Sequence, residues 1–194
     1  RITPPEAFFA DEYGRLERYL AAFSRVKHPH TRRAQEIMDT VLMLEKVMYQ
    51  DHLAEMVQGH GDFHPKNIFI GENDCPEENC TYIAAFDFAS SYTMPPAYDV
   101  GTFLAQYRNQ FSREPQVQEK VSPDIFLQTY LHESLVAGEE FLSGVELFKA
   151  RTSLSICSFL IKVGLGDSEN LWRVLLEGEK SLDHLAVRES MAGG

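Results

Sequence analysis

The stretch His60-Gly-Asp-Phe-His-Pro-Lys-Asn67 constrains this chain more than any other, because it cannot be helix. Gly61 is costly inside a helix, and Pro65 removes a backbone donor one turn later, so no continuous helix crosses the segment. The text around it is helical on both sides. Before it, Phe8, Phe9, Leu16, Tyr19, Leu20 and Phe23 recur at a roughly helical period after Pro4-Pro5. Pro29 interrupts, and Ile37, Val41, Leu44, Val47 and Met48 mark a second long helix, so two helices and no strand are expected up to Val57. After it, strand-like runs at 67–70 and 82–86 enclose an acidic, Asn- and Cys-containing segment at 71–80, which predicts a hairpin with a long polar tip. Beyond Pro95-Pro96 helical text resumes at 99–111, from 123 to roughly 142, at 147–163 and at 170–185, with a turn at 164–168. The expected fold is mainly α with a small β-hairpin (α+β), one domain over residues 1–194.

Charge narrows the partners. Basic residues number 18 and acidic ones 29, for a net charge of −11. Such a chain is a poor candidate for gripping nucleic acid or an anionic membrane through its general field. It would suit a cationic substrate and still allows a local phosphate site. No apolar run approaches the length of a membrane span. Three cysteines cannot all pair within the chain, and with no signal peptide in view a reducing cytoplasm is the expected setting. Cys75 and Cys80 fall at the hairpin tip, where a surface location is simpler than a local disulfide or half a metal site; Cys157 reads as core. Phe103, Tyr107 and Phe111 also read as core, and Glu133, Glu139 and Glu140 as a solvated face rather than a seat for a cation.

The chemistry lies in two acids and an amide. Asp62 is followed five residues later by Asn67 in a loop that enters a strand, and Asp87 comes twenty residues after Asn67. Such a loop can aim a carboxylate at an incoming hydroxyl while the Asn amide oxygen faces a metal. A carboxylate on the neighbouring strand can reach the same metal. That is the minimal apparatus of metal-assisted phosphoryl transfer from a nucleotide. His60 and His64 are spaced for a helical zinc pair, but Gly61 and Pro65 deny them the helix.

His60-Gly-Asp62 with Asn67, then Phe86-Asp87-Phe88, then Pro96-Ala-Tyr-Asp99-Val100 together resemble the three-part signature of the aminoglycoside phosphotransferase and choline kinase-like family, which shares the protein-kinase fold. The resemblance implies roles. Asp62 matches the catalytic aspartate, Asn67 and Asp87 the metal-holding pair, His60 the histidine that braces the loop, and Asp99 the helix-start aspartate that bonds the loop backbone. His64 and Lys66 are candidates for substrate or phosphate contact. It also implies Mg²⁺ with ATP or another nucleoside triphosphate, and a small-molecule hydroxyl substrate. The match covers the C-terminal lobe only. Neither a glycine-rich phosphate loop nor a Val-Ala-x-Lys strand precedes Asp62, so an N-terminal lobe or a partner chain is expected for activity. A start at Arg1 without Met agrees with a fragment or a processed chain. Two other readings stand beside the kinase: a non-catalytic binding or regulatory domain derived from one, and a protein-kinase-like enzyme. Against the latter, Asp87-Phe-Ala lacks the glycine, and Asp99 follows only twelve residues later.

Overall fold

The computed structural model describes residues 5–51, 56–72, 81–134 and 138–192. Two 21-residue helices come first, α1 (Pro5–Arg25) and α2 (Thr31–Asp51), as the periodicity predicts. Leu16, Phe23, Ile37 and Val41 form their buried seam. The turn between them is set by Lys27, at φ 51°, and by His28. The His28 ring nitrogen Nδ1 accepts from His30 N–H, so Nε2 is the donor to Gly166 O at 3.0 Å. That bond ties this turn to the one near the chain's other end.

Two antiparallel pairs follow. β1 (Val57–Gly59) pairs with β4 (Tyr92–Met94), and β2 (Ile68–Glu72) with β3 (Thr81–Ala85) in the register Ile68 to Ala85. The second pair is the expected hairpin; Cys75 and Cys80 lie outside the described residues. The first pair has no counterpart in the sequence reading, since three residues are too few to show a period. Short 3₁₀ turns, Pro65–Asn67 and Phe88–Ser90, lead into β2 and out of β3 toward β4.

The remainder is helical: α3 (Ala97–Gln110), α4 (Pro115–Lys120), α5 (Pro123–Glu133), α6 (Glu139–Lys162) and α7 (Glu169–Ala192). The helix expected from 123 to roughly 142 ends at Glu133, and α6 begins at Glu139, eight residues before the expected 147. Gly138 divides them, with φ 149°, ψ 171° suited to glycine.

Helix α6 is the axis of the molecule. It packs on α1, α2, α3 and α7 and buries Val145, Phe148, Leu154 and Cys157 on several faces. A helix apolar all round belongs in the interior. Burial pushes the Cys157 thiol up to about 12, as its core reading requires. The α3–α6 contact is close because Gly101 permits it. A Cβ there would stand 2.7 Å from Val145 O and 2.8 Å from the Phe148 Cβ. This contact fixes where α3 begins, and α3 begins at the site. Among the described residues no helix is long and apolar enough to cross a membrane.

Candidate active site

Asp99 lies in the first turn of α3, and its carboxylate reaches back to the loop. Oδ2 accepts from His60 N–H at 2.6 Å and Oδ1 from Gly61 N–H at 2.9 Å. Charge-assisted bonds of this kind are about twice as strong as neutral ones. Gly61 has φ 81°, and a Cβ on it would sit 2.0 Å from Ser90 O, so glycine is required there. The loop is thus pinned by backbone amides to a helix that is itself fixed against α6.

His60 is buried, and both its ring nitrogens are engaged. Nδ1 accepts from Asp62 N–H at 3.3 Å, which makes Nε2 the donor to Phe86 O at 2.8 Å. Its ring also lies against Phe63 and Phe88. No lone pair remains for a metal, which removes the zinc pair on geometric grounds. His60 instead joins the Asp62 loop to the strand end that carries Asp87.

Asn67, 7% exposed, closes the base of the hairpin. Its Nδ2 donates to Asp62 O at 2.9 Å, and its backbone carbonyl accepts from Phe86 N–H at 3.1 Å. The amide nitrogen is therefore committed, which leaves Oδ1 as the free end. Asp87 is the next residue after Phe86. It is exposed and left-handed (φ 65°, ψ 59°), a conformation uncommon for a residue with a Cβ and often found at functional sites. Asp62 itself keeps about half its side chain exposed (49%), with His64 Nε2 at 3.6 Å from Oδ2. His64 Nδ1 accepts from Lys66 N–H, so Nε2 carries the ring proton and faces the carboxylate. Lys66 is exposed.

The loop, the 3₁₀ turns and the hairpin base thus bring Asp62, Asn67 and Asp87 into one neighbourhood, with His60 and Asp99 behind them. Asn67 Oδ1 and the Asp87 carboxylate are oxygen donors, the kind a hard divalent cation such as Mg²⁺ prefers. Among the described residues there is no cluster of three or more His, Cys, Asp or Glu side chains suited to hold a metal by themselves.

The model of the phosphotransferase enzyme family (APH) matches residues 2–140. The chain belongs to that family. The matched span carries α1, α2, both strand pairs, the loop of Asp62 and α3 to α5. Membership brings a protein-kinase-like fold, and the mainly helical architecture with its small hairpin agrees with it. Neither curated proteins nor solved structures give a match.

Not every functional candidate was visible in the sequence of this phosphotransferase family member. Phe103 and Tyr107 do pack inward, Phe103 against Phe63 and Phe126, so the aromatic run supports the loop. Glu133, Glu139 and Glu140 are exposed. What the sequence reading missed is a cleft of about 390 Å³ beside Asp62, bounded by α1, α3 and α6 and including Arg15, Arg18 and Arg151. Arg15 and Arg18 lie one helical turn apart, a signal available in the sequence; Arg151 is more than 130 residues away, and no spacing rule connects it.

Proposed function

We propose that this chain is the catalytic lobe of an ATP-dependent small-molecule kinase. The observation that carries the reading is the convergence of Asp62, Asn67 and Asp87 on one hairpin base in a member of the phosphotransferase family. In this reading Asp62 accepts the proton of the acceptor hydroxyl as its oxygen bonds to the γ-phosphorus and the bond to the β,γ-bridging oxygen breaks. Asn67 Oδ1 and Asp87 would hold Mg²⁺, which when bound neutralises charge on the nucleotide phosphates. His60 and Asp99 keep the loop in place, and His64 turns its N–H toward Asp62. Lys66, exposed at the loop, is available to a phosphate. The protein would work in the cytoplasm, on a small hydroxyl compound, with a second lobe in the same or another chain covering the nucleotide.

Removing Asp62 separates chemistry from binding. In the two-lobed protein, Asp62→Ala should lower turnover by about 10²–10⁴-fold with nucleotide affinity nearly unchanged. Asp87→Ala should weaken binding of the metal–nucleotide complex as well. Turnover and calorimetric nucleotide binding of the two variants decide it, and an Asp62→Ala protein with near-normal turnover sinks the assignment.

One observation favours a second reading, a binding or regulatory domain derived from such a kinase. The described residues hold two two-stranded sheets and no glycine-rich phosphate cradle. Magnesium-dependent turnover in the two-lobed protein, lost on Asp62→Ala, would eliminate this reading.

A further inference from the structure

The cleft is lined by Gly61, Asp62 and Ser90 at the loop and otherwise by α1, α3 and α6; no hairpin residue lines it, nor do Asn67 and Asp87. It is therefore distinct from the place where metal and nucleotide phosphates would sit. Its size is within the roughly 300–1,000 Å³ of small-molecule sites. Its sign is the reverse of the chain's. In a molecule of net charge −11, three arginines, Arg15, Arg18 and Arg151, line this one space.

The three are not equivalent. Arg151 is buried and committed, its Nε donating to Glu12 Oε1 at 2.5 Å and its Nη2 to Oε2 at 3.1 Å. Burial alone would weaken that charge, and the Glu12 carboxylate more than restores it. Arg15 reaches the same carboxylate only at 3.8 Å, with its guanidinium over the Tyr92 ring. Arg18 is exposed and has no ion pair or hydrogen bond among the described residues. One carboxylate thus serves two guanidinium groups, and a third has none. The other acid near this wall, Glu45, is fully buried and held toward its neutral form. Tyr98, Thr102 and Thr152 add hydroxyl groups to the lining.

We propose that the acceptor substrate is an anionic hydroxyl compound, its carboxylate or phosphate ester seated on Arg15 and Arg18 while its hydroxyl meets Asp62. This rests on the phosphotransferase reading above. A guanidinium matches an oxyanion bidentately, and a pair with surplus charge at the mouth of a polar cleft favours such a group. A cationic substrate would have to enter past the same arginines, with only Asp62 free to meet it. The acidic surface sets the long-range field; the cleft sets what can bind inside it.

The test is binding to the 194-residue chain, read as thermal stabilisation at constant ionic strength without magnesium. The probes are glycerol 3-phosphate, glycerate, glycerol and choline. One or both anions should raise the melting temperature saturably, and which one does identifies the oxyanion. Glycerol and choline should not, and Arg18→Gln, at an exposed position that carries no packing, should weaken the anion by about tenfold or more. Stabilisation by glycerol or choline equal to that by the anions overturns the proposal. So does no response to any probe, or an Arg18→Gln chain that binds as tightly as the parent. The two readings fail separately. Anion binding without phosphoryl transfer in the two-lobed protein defeats the kinase, whereas transfer to neutral alcohols with no anion binding defeats only the anionic acceptor.

Discussion

Glu45 carries the most telling unsatisfied group at the residue scale. Both its carboxyl oxygens are buried with no hydrogen-bond partner among the described residues. Burial first, and the Glu12 carboxylate second, push its pKa well above 4.5, against the pull of Arg151 and Arg15. The folded protein thus holds this proton more tightly than the unfolded chain does. Its contribution to stability is complete below about pH 4.5 and is lost as pH rises toward the higher folded value. Glu45→Gln, which keeps the shape and cannot ionise, should gain on the parent as pH climbs from there, by up to about 1.4 kcal/mol per pH unit. Denaturant unfolding from pH 4.5 to 8.5 checks this; a constant difference between the two proteins contradicts it. At this scale the sequence was legible where partners are near in chain or in motif. Asp62 and Asn67 lie five apart, and Asp99 announced itself at a helix start. Glu12 and Arg151, 139 residues apart, share no local signal, and neither does the cleft that Arg151 lines.

The decisive element is α3, because its two ends of influence differ. Its first turn holds the loop through Asp99, and its middle rests on α6 through Gly101. Gly101→Val should lower stability by about 1–3 kcal/mol, since the new side chain meets the Val145 carbonyl and Phe148 with no room to turn. It should also lower phosphoryl transfer in whatever folds, because moving α3 moves Asp99. Denaturation midpoints and turnover report the two losses, and full turnover at reduced stability would show the loop independent of α6. Elements with a period were foreseeable: α1, α2, α3 and α7 follow their apolar spacing, and the hairpin its β-favouring residues. The break between α5 and α6 was not, since Gly138 could as well sit within a helix as divide two. The β1–β4 pair, three residues a strand, offers no pattern at all.

For the whole molecule, surface and interior disagree in character near the hairpin. Ile70 and Ile83 are 73% and 74% exposed, and Phe69, Tyr82 and Phe88 accompany them. An apolar patch of this kind marks a contact surface. The proposed second lobe would account for it, covering the nucleotide at the same time. The 194 residues alone should therefore bind Mg²⁺–ATP weakly or not at all, as calorimetry can show. Micromolar affinity would mean that these residues contain a complete nucleotide platform.

The pinning of the loop by Asp99 has a thermal consequence. The amides of His60 and Gly61 are bonded to α3, which packs closely on α6, so they should open only with that contact. A two-stranded hairpin is only marginally stable by itself and tends to open. Its base cannot follow, because Asn67 and the Phe86 carbonyl are bound to the loop. Warming should therefore leave the arrangement of Asp62 and Asn67 intact until the core gives way, and then remove both in one step.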